Sequence, residues 1–136
     1  QEMWKKHLGL NVVLTNVDWK VYLSRETQGD FDISRAGWIG DYPDPFTFLD
    51  MMVTERGNNK TGWSNTAFDE LLKKAASKIS TEQRYELYEE AEKILIDELP
   101  VIPLYTYTRT YLLSERVKNW QKNILDTNPY QFLSLE

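Results

Sequence analysis

The chain has 136 residues, a net charge of −5, 41% apolar residues and an aromatic set of five Trp, eight Tyr and five Phe, the composition of one globular domain and not of a disordered chain. The Lys and Arg residues form no cluster, so the phosphate-neutralising surface that nucleic acid requires is missing. No segment reaches the roughly 18 apolar residues of a membrane span. Cysteine is absent and His7 is the only histidine, which excludes disulfides, thiolate metal sites and a Ser-His dyad within the chain.

Gln1 to Leu8 reads as a helix closed by Gly9 in the C-terminal cap position. The chain opens without an initiator methionine or signal peptide, so targeting information is expected upstream. Asn11–Asn16 holds Val12, Val13 and Leu14, a β-branched run expected to form a strand buried on both faces. Asp18 is placed to cap a second helix, with Trp19, Tyr22 and Leu23 on one face and Gly29 at its end. Phe31–Ala36 is the next expected strand, and this rhythm suggests βαβ units and a sheet with flanking helices.

From Gly37 the texture changes. Trp38-Ile39-Gly40-Asp41-Tyr42-Pro43-Asp44-Pro45 cannot continue a regular element, so it is expected as a shaped loop at a strand end. Phe46 to Val53 reads as a short helix and Thr54 to Ser64 as an irregular polar connection. Two amphipathic helices follow. The first, Asn65–Lys78, turns Phe68, Leu71, Leu72, Ala75 and the adjoining Ile79 to one side; the second, Ser80–Glu98, does the same with Leu87, Tyr88, Ala91, Ile94 and Leu95. Ser80 and Gln83 form a capping-box pattern. Pro100 and Pro103 stop the second helix, after which Val101–Leu113 alternates β-formers as a long expected strand. Asn119–Pro129 reads as loop and Tyr130–Leu135 as a last strand.

Taken alone, Asp41 has two readings. A carboxylate at the end of a parallel strand lies where open α/β sheets bind ligands, and there it suits an ammonium; or it caps its own turn, as Asp does before proline. Asp44 reads as a turn residue. Gly37 permits close approach of an extended peptide main chain. Trp38 is either an apolar wall or a core residue, and Arg35 either meets a peptide carboxylate or makes a structural salt bridge. Tyr105, Tyr107 and Tyr111 alternate along one strand face and read as core. The acidic run Glu86, Glu89, Glu90 and Glu92 reads as a solvated helix face.

The segment from Arg35 to Pro45, followed by Phe48-Leu49, resembles a signature of the family 5 solute-binding proteins of ABC importers. Asn58-Asn59, Trp63, Phe68-Asp69-Glu70-Leu71, Arg84 to Glu92 and Leu99 to Tyr105 match in order, so the resemblance covers nearly the whole chain. It implies a partial lobe of a type II periplasmic-binding-protein-like clamshell, an α/β fold with a mixed sheet and flanking helices. Residues 1–136 are then the C-terminal portion of one substrate-binding lobe. It further implies a protein outside the cytoplasm, periplasmic or lipid-anchored, that is not an enzyme, needs no cofactor, binds oligopeptides and delivers them to membrane permease subunits.

By the resemblance, Asp41 holds the ligand's α-amino group, Gly37, Trp38 and Ile39 lie along the peptide, and Tyr107 faces it. Ile39 departs from the cysteine or small residue of some relatives. Two alternatives stand beside the peptide reading: a nickel- or metal-chelate-binding relative of the same family, and a glycosidase that pairs Asp41 with Asp44 or another carboxylate.

Overall fold

The chain divides into two contact units, Gln1–Arg35 and Ala36–Glu136. The computed structural model describes every residue except Ile79 and Ile124, so the place expected for Ile79 on the first amphipathic face lies outside the described residues.

In the first unit, α1 (Glu2–Leu8) ends at Gly9, whose φ of 69° lets its N–H reach back to the Lys5 carbonyl while Leu10 bonds Trp4. Glycine adopts that left-handed conformation without a Cβ clash. Helix α2 (Trp19–Gln28) starts where Asp18 accepts the Lys20 N–H at 2.9 Å and stops at Gly29, φ 70°. Trp19 and Tyr22 stack with ring centroids 5.0 Å apart. The Tyr22 hydroxyl lies 2.7 Å from Glu26 Oε1 and 3.2 Å from the Arg35 carbonyl, which fastens the end of the unit to α2.

The second unit is organised by two antiparallel helices. Asn65 caps α4 (Thr66–Ala76) by accepting the Phe68 N–H, and Ser80 caps α5 (Thr81–Glu98) by accepting the Gln83 N–H. Phe68, Leu72 and Ala75 of α4 meet Tyr88, Ala91 and Leu95 of α5, with Phe68, Ala75 and Ala91 fully buried. Alanine on both sides of the crossing lets the helices approach closely while Phe68 fills the wider end. Leu71, Leu87 and Ile94 flank this core. A short helix, α3 (Phe46–Leu49), and a 3₁₀ turn at Asp50–Met52 lie over it, contributing Leu49 and Met52.

The polar connection from α3 to α4 is shaped by one side chain. The Asn59 amide donates to the carbonyls of Met52 (3.1 Å), Val53 (3.3 Å) and Trp63 (2.9 Å), while its oxygen accepts from the N–H and hydroxyl of Thr61. Trp63 then packs edge-on against Phe68 at 5.1 Å. Its indole N–H and the Asn65 amide both donate to the Glu98 carboxylate, tying the start of α4 to the end of α5.

The helices follow the sequence closely, but the strands do not. Segments 11–16, 31–36 and 101–113 have no sheet ladder, and 130–135 gives a 3₁₀ turn at Tyr130–Phe132 before the two residues of β2 (Ser134–Leu135). Among the described residues the sheet is β1 (Val117–Lys118) paired antiparallel with β2, Val117 opposite Leu135. The reason is that a strand exists only through a neighbour's hydrogen bonds. The β-forming side chains of these segments stay exposed, with Val13 at 80%, Leu104 at 74% and Leu112 at 103%.

Replacing Asn59 by Ala removes the shared partner of three carbonyls, at a half-buried position in a mostly exposed connection. At about 1 kcal/mol net per hydrogen bond, Asn59→Ala is expected to destabilise the fold by about 2–3 kcal/mol in urea unfolding, whereas Asn58→Ala, at an exposed position, stays within about 0.5 kcal/mol.

Candidate ligand-binding site

The expected site loop begins the second unit and is held from below by α3. Asp44 anchors that helix twice: Oδ1 accepts the Phe46 N–H at 2.9 Å, and Oδ2 receives Arg84 of α5 at 2.7 Å, an ion pair across 40 residues. The pair is partly buried, with side-chain exposures of 31% for Arg84 and 19% for Asp44. Beside it Phe46 packs on Tyr88 with ring centroids 6.2 Å apart. Burial, and then the Asp44 charge, push the Tyr88 hydroxyl above its ordinary range, with Arg84 acting in the opposite sense. Asp44 is thus a turn residue as expected, with a long-range partner added.

Thr47 projects from α3 into the loop and is buried. Its Oγ1 accepts the Asp41 backbone N–H at 3.1 Å and the Trp38 indole N–H at 3.4 Å. Gly40 lies against the same helix. A Cβ added there would meet Thr47 Cγ2 at 3.1 Å and the Phe48 ring at 3.2 Å, closer than most side chains tolerate, so the loop needs glycine to pass. Gly37 approaches the Tyr107 ring in the same way, at 3.3 Å from an added Cβ.

The structure therefore brings Trp38 and Asp41 together through Thr47, and Gly37 onto Tyr107. Ile39 points outward at 68% exposure, beside these groups but held by none of them. Arg35 closes the first unit and is exposed. Asp41 is exposed, and among the described residues no hydrogen bond or ion pair engages its carboxylate; the backbone N–H carries the turn instead. Trp38 is half-buried, between wall and core.

The core reading of the tyrosines is overturned. Tyr105, Tyr107 and Tyr111 are exposed by 67%, 52% and 40%; Tyr105 packs edge-on against Tyr107 with ring centroids 4.9 Å apart, and Tyr111 lies 5.4 Å from Trp120. Burial, and then the neighbouring Asp50, Asp44 and Asp41 carboxylates, push the Tyr42 hydroxyl up. Thr47 and Arg84 are the residues that sequence reasoning missed. Neither belongs to a pattern at short spacing, and only the Asp44-Pro45 turn hinted that α3 required an anchor.

The site is a glycine-lined loop set on a helical pair, with an extended tyrosine-bearing segment beside it. Comparison with known proteins gives the family. The model of the bacterial extracellular solute-binding proteins, family 5 (middle), matches residues 1–60. The oligopeptide-binding protein OppA of Bacillus subtilis is 44% identical over 119 residues, covering 87% of this chain and 22% of its own length. The periplasmic murein peptide-binding protein MppA of Escherichia coli is 39% identical, covering 93% and 23%. The crystal structure of Haemophilus influenzae OppA in complex with the peptide RPPGFSPFR superposes with a TM-score of 0.86 at 28% identity, covering 98% of this chain and 27% of that one.

The chain belongs to the family 5 extracellular solute-binding proteins, and it spans about a fifth of the length of the curated relatives it matches. The family places it outside the cytoplasm, and no helix among the described residues is long and apolar enough to cross a membrane.

Two outcomes test the support beneath the loop. Arg84→Met leaves the Asp44 carboxylate partly buried and unpaired, with an expected loss of about 1–3 kcal/mol by urea unfolding. Because the folded state holds the Tyr88 proton more tightly than the unfolded chain does, its contribution is intact below the unfolded value near 10 and is lost as pH rises through the folded value. Stability measured from about pH 9 to about pH 11 is therefore expected to fall, and less steeply in Tyr88→Phe.

Proposed function

We propose that the chain forms part of the ligand-binding lobe of an extracytoplasmic oligopeptide-binding protein, without enzymatic activity, that delivers its ligand to the permease subunits of an ABC importer. Asp41 anchors the peptide's α-ammonium. The observation that carries this reading is an exposed carboxylate with no partner among the described residues, on a loop whose backbone is fixed by a buried hydroxyl. A charge-assisted pair with the ligand's amino end gives affinity common to every peptide, whatever its side chains. The names of the relatives, oligopeptide- and murein peptide-binding proteins, support the same ligand class.

Gly37 and Trp38 suit the main chain that follows the ammonium: a Cβ-free backbone for close approach, and an indole edge held by Thr47. The resemblance sets Tyr107 and Ile39, both exposed, beside ligand side chains, and Arg35 is the residue it offers for a terminal carboxylate. A two-carboxylate hydrolytic site at this loop is disfavoured, because Asp44 is committed to Arg84 and to the start of α3.

The test is a double cycle in the full-length protein, titrating trialanine and N-acetyl-trialanine by calorimetry. Removing one side of a buried ion pair costs about 3–5 kcal/mol, so Asp41→Asn is expected to weaken the free peptide by about 100-fold to several thousand-fold. The acetylated peptide already lacks the charge and is expected to lose little more. Equal losses for both peptides would assign Asp41 to the turn and the anchor elsewhere.

A further inference from the structure

We infer that Thr47 is the positioning residue of the site: one buried hydroxyl oxygen sets the spacing between Trp38 and Asp41, and so the strength with which the carboxylate grips an ammonium. This rests on the reading of Asp41 just given, and goes beyond it by assigning a role to a buried side chain.

Three observations converge. The first is the burial of Thr47, which is 4% exposed on a helix that the Asp44–Arg84 pair holds in place. The second is the double acceptance at Oγ1, from the Asp41 backbone N–H at 3.1 Å and the Trp38 indole N–H at 3.4 Å. A hydroxyl oxygen has two lone pairs, so these donors fill its acceptor capacity. The third is the close approach of Gly40 to the Thr47 methyl, which leaves the loop little room to slide along α3.

Asp41 and Trp38 stand three residues apart in a stretch without regular structure. Among the described residues the hydrogen bonds that relate them both end on Thr47, and the bond to the Asp41 N–H, with the packing of Gly40 on the same helix, sets its Cα. A charged pair depends on such placement, because its hydrogen-bond geometry degrades over tenths of an ångström.

Val matches Thr in shape but offers no oxygen, so Thr47→Val leaves two N–H donors without their acceptor, whereas Ser keeps it. The experiment measures trialanine and N-acetyl-trialanine affinities in the full-length protein for Thr47→Val, Thr47→Ser and Asp41→Asn, with urea unfolding as the check on folding. The expected result is that Thr47→Val weakens trialanine by about 10-fold, changes N-acetyl-trialanine by less than about 2-fold, and is restored by Thr47→Ser. Equal loss for both peptides, or no loss for either, overturns the inference. Trp38→Phe is the second variant, should Thr47→Val fail to fold. It deletes one donor and keeps a ring, and is expected to tighten the remaining Asp41 bond, so that the preference for the free amine is kept or increased; a selective loss of that preference overturns the inference. If Asp41→Asn fails to discriminate the two peptides, or trialanine does not bind the unaltered protein, the reading of Asp41 itself has failed, a result separable from a failure at Thr47.

Discussion

The loop that carries Asp41 depends on the ion pair between Asp44 and Arg84. Short helices have little stability of their own, since nucleation costs several fixed residues before any hydrogen bond is gained. The four residues of α3 persist because Asp44 ties their first turn to α5 while Phe46, Thr47 and Leu49 sink toward the helical core. Once α3 is fixed, Thr47 is fixed, and the Trp38–Asp41 segment takes its shape from that one hydroxyl. The order of dependence runs from helical pair to short helix to loop, and each step uses fewer contacts than the one before.

Such an arrangement divides labour between buried and exposed groups. Thr47 Oγ1 and the Asp44 carboxylate, which give the loop its form, find their hydrogen-bond partners inside the protein. The Asp41 carboxylate is left exposed, while Asp44 and Asp50 beside it are paired with Arg84 and Arg56. On the proposed reading a ligand ammonium would meet a group that need not first break an internal bond, and a preorganised site loses less on binding than one that must rearrange.

The second consequence concerns the extended segments. The tyrosine-bearing stretch beside Gly37 and the apolar stretch at Val13 and Leu14 carry the side chains of buried strands while remaining exposed and, among the described residues, outside any sheet. Extended backbone of this kind offers its N–H and C=O groups to an added strand, the means by which a main chain can be bound without regard to sequence.

What the sequence by itself determined was whatever depends on neighbours a few residues apart. Asp18, Asn65 and Ser80 begin their helices and Gly9 and Gly29 end theirs because capping is local chemistry, and the i, i+3, i+4 spacing of Phe68, Leu72 and Ala75 selected the buried face. The family signature made Gly37, Trp38 and Asp41 visible as a group. Only the tertiary structure decided the rest. Val101–Leu113 has strand composition, but composition supplies no hydrogen-bonded neighbour, so its three tyrosines stand exposed instead of forming a core. Thr47 and Arg84 look ordinary in the sequence. Their roles arise because folding brings a hydroxyl six residues from Asp41, and a guanidinium 40 residues from Asp44, within hydrogen-bonding distance, and no periodicity along a chain encodes a meeting of that kind.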